Sequence, residues 1–256
     1  MKQKLFYFFA RSLWRSGLLK GVLFMFALSL LAAFILSDAN IGQENKLFWD
    51  LLLIFEALWL HALTLLWAYE LCKDEELLFL ARLPLSTSLT RLAYERGKFF
   101  ALIVAFLPLA VGIAALNAVV ASPLVVWQSL LYAFSAILGG FLVLTLSRFV
   151  PSVSAILFSA AFLAVGNGLD ELYLYATMQK DGGAVLKATS EIFYVVLPNF
   201  SLFDHQSEAI AGVLGNGKID VFNATFSFWF LPPLYFAVLS LALFALAVWR
   251  FKRQAI

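Results

Sequence analysis

The chain has 256 residues, 63% of them hydrophobic and 13% charged, with a formal net charge of +2. A soluble domain is typically ~45–50% apolar and ~25% charged, so this composition excludes an ordinary water-soluble fold and points to an integral membrane protein. A single cysteine, Cys72, excludes an internal disulfide framework, and two widely separated histidines, His61 and His205, argue against a metal site.

Residues 2–16, "KQKLFYFFARSLWRS", alternate basic and apolar positions at helical spacing. Lys4, Arg11 and Arg15 fall on one face and Leu5, Phe9 and Leu13 on another. This pattern predicts an interfacial helix with its basic groups toward anionic headgroups. A bend is expected at Leu18–Gly21. The apolar run that follows is long enough to span a bilayer and is expected to be retained rather than cleaved as a signal.

A spanning helix needs about 20 apolar residues, because ~30 Å of hydrocarbon is crossed at ~1.5 Å per residue. Six segments meet this, at about 18–37, 48–69, 99–121, 124–147, 149–169 and 227–249. The second carries Asp50, Glu56 and His61; from Phe99 onward the others hold no Asp, Glu, Lys or Arg except Arg148 in the turn between two of them. With the N-terminus inside, the inner segments hold 14 of the 18 Lys and Arg, and the outer ones hold only Lys46, Lys180, Lys187 and Lys218. That bias places both termini in the cytoplasm. The expected fold is therefore all-α, one transmembrane domain over residues 1–256.

The segment from 70 to 98 is the most polar inner connection. "KDEELLFLARL" (Lys73–Leu83) predicts a short helix with Asp74, Glu75 and Glu76 in its first turn and Arg82 in its last. Leu77, Leu80, Ala81 and Leu83 supply apolar surface, and Pro84 stops the helix. Ser86–Ser88 offer caps for a second helix that runs through Arg91, Glu95 and Lys98 into the third span. A helix meant only for a lipid surface is rich in Lys and Arg, whereas this one opens on three acids, which favours a protein partner.

Glu56 and His61 lie inside the second span, and Asn117 lies near the outer end of the third. Ionisable groups at this depth are functional hypotheses by default. They suit a proton relay or a polar translocation path; equally, each side chain simply satisfies a neighbouring helix. Pro108, Pro232 and Pro233 are expected to kink spans three and six. Trp14, Trp49, Trp67, Trp127, Trp229 and Trp249 are expected to form interfacial belts.

The external region, 170–226, holds seven acids against three lysines before Val221. "GNG" at Gly166–Gly168 predicts an end or kink in span five. "EIFYVVLP" (Glu191–Pro198) is apolar but too short to span, which suits a re-entrant or interfacial helix. "GVLGNGKI" (Gly212–Ile219) contains G-x-x-x-x-G-K but lacks the following Ser or Thr, so it is a turn rather than a phosphate-binding loop. No Ser-His-Asp or paired-carboxylate arrangement stands out, so no catalytic residue, cofactor or metal is expected in this chain, nor any nucleic-acid partner.

Six spans, an amphipathic N-terminal helix, a charged elbow and short external helices before span six resemble the membrane permease subunit of an ABC type-2 transporter. In that family the elbow carries acids, then leucines, then Pro and a small residue, with a Lys or Arg opening span three. Here Asp74–Glu76, Leu77 to Leu83, Pro84-Leu85-Ser86 and Lys98 are similar to it. "LPNFSLFD" (Leu197–Asp204) is similar to a Pro-Asn-x-x-x-Phe run that precedes the last span. Where the family often has Gly-Thr after the acids, this chain has Glu75-Glu76.

The resemblance implies a multi-pass exporter subunit in the inner (cytoplasmic) membrane. It would be paired with an identical or homologous permease and driven by two copies of a separate cytoplasmic ATPase that binds ATP and Mg. ATPase docking would fall on Asp74, Glu75, Glu76, Leu77, Leu80, Arg82, Leu83 and Pro84, and the path would involve Glu56, His61 and Asn117. Two other readings stand beside it: a proton-coupled carrier using Glu56 and His61, and a non-transporting membrane subunit of an ABC complex.

Overall fold

The computed structural model describes residues 2–38, 44–78, 91–120, 123–169, 198–206 and 229–253, with residues 175, 188 and 209. Among these there is no β-strand, and the chain is a helical, multi-pass membrane protein. Five helices are long and apolar enough to cross a membrane: α2 (Gly17–Asp38), α3 (Glu44–Leu78), α4 (Arg91–Val120), α5 (Pro123–Leu146) and α7 (Leu231–Arg253). A shorter apolar helix, α6 (Ser152–Asn167), has 16 residues and rises ~24 Å. It starts after Pro151 and ends at Gly168, where the glycine run predicted an end.

The amphipathic segment forms α1 (Lys2–Arg15), but its break comes at Ser16 rather than at Leu18–Gly21. Ser16 accounts for the shift. Its hydroxyl donates to Leu13 O at 2.6 Å, and its N–H is shared between Ser12 O and Leu13 O, which closes the helix. Ala10 and Leu13 are buried against the bundle, while Arg11 and Arg15 are exposed. Phe9 meets Tyr94 of α4 edge-to-face at 5.7 Å.

α5 is the hub. Eighteen of its residues are buried, whereas α2 buries only Leu19, Ala33 and Ser37. Contacts from α3 onto α5 advance together (His61 with Ser135, Thr64 beside Gly140, Cys72 with Ser147), so these two helices run parallel. α4 runs antiparallel to α5, pairing Asn117 with Ser129 and Glu95 with Arg148. α6 is antiparallel to α5 through Leu163 beside Gly139, and α7 is parallel to it through Phe236 with Phe134 and Leu243 with Thr145. Successive helices of the bundle thus alternate in direction.

Two glycines allow this crowding. A Cβ on Gly139 would meet Leu163 Cδ1 of α6 at 2.7 Å, and one on Gly140 would meet Leu102 Cδ2 of α4 at 2.5 Å and Thr64 O of α3 at 3.3 Å. Where helices cannot gain from expelling water, such small residues let backbones approach and van der Waals contact replace it.

Three expectations are corrected. α3 does not end near Tyr69: it runs unbroken to Leu78, so Asp74–Glu76 lie in its last turns and not in the first turn of a new helix. "ELCKDEELL" holds no Gly or Pro, so helix propensity carries the span onward. Pro232 and Pro233 sit in the first turn of α7, where their missing N–H groups break no helical bond, and among the described residues only Pro108 lies inside a helix. Trp67 is fully buried beside Trp14 and Trp49 is also buried, so neither belongs to an interfacial belt. Leu80, Arg82, Leu83 and Pro84 lie outside the described residues, as do the side chains of residues 74–78, the turn at 212–219 and most of Glu191–Pro198.

Gly166 joins α6 to the segment before α7. A Cβ there would lie 2.5 Å from Pro198 O and 2.6 Å from Phe200 Cδ2. Gly166→Ala should therefore destabilise the protein by about 1–3 kcal/mol, as overpacking does. Gly112→Ala, with nothing within 4 Å of its Cβ, should be neutral or stabilising. Thermal melting of both variants in neutral detergent checks the contrast.

Candidate functional site

Residues 198–206 fold back over the end of the bundle opposite the basic one, and their sequence explains how. The Asn199 carboxamide oxygen accepts from the Ser201 N–H at 3.0 Å and from the Ser201 hydroxyl at 2.5 Å, a local turn that asparagine favours. The Asn199 N–H donates to Tyr235 of α7 at 2.8 Å, and the Phe200 N–H donates to Gly166 O of α6 at 3.2 Å. Gln128 of α5 completes the tether. Its Nε2 donates to Phe203 O at 2.9 Å and its Oε1 accepts from the His205 N–H at 2.8 Å. Phe200 and Phe203 are thereby sunk into the core. The "LPNFSLFD" run noted in the sequence is thus a pinned cap: Asn199 shapes it and Phe203 anchors it.

Beneath this cap lies a cavity of about 480 Å³ between α3, α5 and α6. α3 contributes Ile54, Leu58, His61 and Leu65, one stripe at helical spacing. Ile54 and Leu58 are half-exposed, so the cavity opens sideways through the bundle surface. Its polar lining is His61 and Ser135 at the deep end, and Tyr132, Asn167, Asp204 and Gln206 toward the cap.

His61 sits near the middle of the apolar part of α3. Its Nδ1 is 2.7 Å from Ala57 O, and a carbonyl only accepts, so Nδ1 carries the proton. In the neutral ring Nε2 then accepts the Ser135 hydroxyl, 2.9 Å away. Both ring nitrogens are therefore used within the protein.

Glu56 and Asn117, the other two path residues predicted from sequence, come together but not with His61. Five residues of α-helix turn Glu56 about 140° away from His61, toward α4 and α2. Glu56 is 1% exposed. Its Oε2 accepts from Asn117 Nδ2 at 3.1 Å, and the same Nδ2 lies 2.7 Å from Ser129 Oγ of α5. Ser129 in turn donates to Val125 O at 3.0 Å. Glu56 Oε1 has no hydrogen-bond partner among the described residues and borders a pocket of about 30 Å³ walled by Val22, Phe26, Leu109 and Ile113.

The opposite end of the bundle is closed by a buried ion pair that sequence reasoning missed. Arg148, in the turn after α5, places Nη2 at 2.5 Å from Glu95 Oε1 of α4, and both side chains are almost wholly buried. The Arg148 guanidinium covers the Phe251 ring of α7 at 4.7 Å, and Arg250 Nε donates to Arg148 O at 3.4 Å. Lys98, also fully buried, stands 5.1 Å from the Tyr94 ring centre. One signal was available: Glu95 is the only acid between Leu77 and Leu169, and Arg148 is the only charge between Leu124 and Leu169. Isolated opposite charges at the ends of apolar helices are candidates to pair.

Among the described residues no group of three or more His, Cys, Asp or Glu could hold a metal ion. No protein-family model, curated protein or solved structure matches this chain.

Two substitutions separate the roles of the buried carboxylates. Arg148→Met removes the buried ion-pair partner of Glu95 and should destabilise the protein by ~3–5 kcal/mol, while the Glu95→Gln/Arg148→Met double variant should recover part of that loss. A double-mutant cycle on melting in detergent measures the coupling. Glu56→Gln keeps an oxygen for Asn117 and removes a charge, so it should melt at or above the wild-type temperature. Glu56→Ala leaves Asn117 short of an acceptor and should lose ~1–3 kcal/mol.

Proposed function

We propose that the chain is the permease subunit of an ATP-driven ABC exporter, working as a pair of permeases with two copies of a separate cytoplasmic ATPase. In this reading α2, α3, α4, α5, α6 and α7 are six membrane passes with both termini in the cytoplasm of an inner membrane. The basic end of the bundle, with Arg148, Arg250, Lys252 and Arg253, then faces inward, as the charge bias requires. The ATPase would dock on the acidic end of α3 and the leucines and Pro84 beyond it.

The observation that carries this reading is the continuity of α3. Its 35 residues extend ~52 Å, well beyond the ~30 Å of hydrocarbon. One rigid helix lines the cavity at His61 and, 14 residues or ~21 Å further, bears Glu75 outside the apolar stretch. A push on the acidic end therefore has a direct mechanical route to the cavity wall. In this reading the chain supplies a path and a lever, which fits a subunit powered by another polypeptide. Glu56 and His61 open to different spaces, and that favours an ATPase-driven cycle over a proton relay through the two.

The test is affinity purification of the full chain from its native membranes, followed by mass spectrometry and an ATPase assay. An ABC-type ATPase should co-elute with wild type and be lost from the Glu75→Lys/Glu76→Lys variant, while the variant keeps the wild-type elution volume and melting temperature. Wild-type chain that emerges free of any ATPase would overturn the reading.

A further inference from the structure

At about 480 Å³ the cavity lies within the range of small-molecule sites, and its two ends differ chemically. The deep end is neutral and self-satisfied, because His61 and Ser135 bond to each other and to Ala57 O. The cap end carries the one formal charge among the lining residues, the exposed Asp204 carboxylate. Its Oδ1 accepts the Gln206 N–H at 3.1 Å and lies 3.4 Å from the Tyr132 hydroxyl. Oδ2 meets no donor among the described residues. Gln206 also reaches Asp50, with Nε2 at 3.2 Å from Oδ1, so a second carboxylate stands one amide away.

Among the described residues no Lys or Arg lines the cavity, and Tyr132 stands at its cap end beside Asp204. A carboxylate at the mouth of a mostly apolar cavity suits an organic cation, which it attracts by charge. An anion would meet a carboxylate with no counter-charge among the described lining residues, and a wholly apolar molecule would cover Asp204 with its Oδ2 unpaired. The half-exposed Ile54 and Leu58 at the side opening offer an apolar tail a hydrocarbon-like wall.

We propose that this cavity is a binding site for an amphipathic organic cation. The cationic centre sits at Asp204 beside Tyr132, and the apolar part lies along α3 and α6 toward the side opening. That such a molecule is the transported cargo rests on the exporter reading; that it binds here does not.

The probe is radiolabelled tetraphenylphosphonium, measured for saturable binding to the full purified chain in neutral detergent with no ATPase present. Wild type should bind one per chain. Asp204→Asn should weaken binding about tenfold by removing the charge, and Ala160→Trp should do so by filling the exposed cavity wall from α6. Both variants should keep the wild-type elution volume and melting temperature. Octyltrimethylammonium should compete for the site, and octanesulfonate should not. Absence of saturable binding to wild type, equal competition by the sulfonate, or unchanged affinity in both variants would each overturn the proposal. A missing ATPase partner with intact probe binding would sink the exporter reading alone. An intact, coupled ATPase without probe binding would sink this one alone.

Discussion

A helix surrounded on every side by other helices in an apolar medium has only two means of holding its neighbours: close contact and shared hydrogen bonds. α5 uses both. Gly139 and Gly140 bring the backbones of α3, α4 and α6 against it, and its polar side chains are spent on adjoining elements. Thr145 donates within reach of both Phe141 O of its own helix and Leu243 O of α7. Ser129 serves α4, Ser135 serves α3, and Gln128 serves the cap. Since unsatisfied polar groups in such surroundings cost several kcal/mol each, these pairings fix the register of α3, α4 and α7 against α5.

The functional asymmetry of the molecule follows from what lies at the two ends of this hub. At the basic end Glu95, Arg148 and the aromatic rings of Tyr94 and Phe251 lock α4, α5 and α7 together. At the other end the contacts run through a cap of nine residues held by side-chain amides, and a cavity remains beneath it. α3 is the element that belongs to both regions, being bonded to α5 at His61 and at Cys72 and continuing past the bundle. In the proposed exporter reading, the cavity whose exposure must change lies where the packing is open, and the force would arrive along an unbroken helix.

The helices were legible in the sequence because hydrocarbon thickness imposes length and composition on them. The end of α6 at Gly168 was legible too, since it depends on local chemistry. The continuation of α3 was not. Three acids in succession resemble the start of a helix, and only the absence of a breaker after Tyr69 argued otherwise. The partners of Glu56 were hidden because they sit 61 and 73 residues away, and a spacing rule within one helix carries no information about them. Trp67 illustrates the same limit: its position near a span end matched an interfacial belt, while its burial is decided by α1 folding back beside it. The cavity depends on which faces of three separate helices and a cap meet, and no single segment encodes it.

The central claim of the proposed exporter reading is that force applied at the acidic end of α3 reaches the cavity. A cysteine at Leu58 on the cavity wall, in a chain whose native thiol is removed by Cys72→Ser, reports exposure through its rate of maleimide labelling. The measurement is made on vesicles holding the complete complex, without nucleotide and with ATP trapped by vanadate. A several-fold change in rate between the two states is predicted, abolished when Glu75 and Glu76 are reversed in charge. An identical rate in both states, while the ATPase turns over normally, would contradict the account.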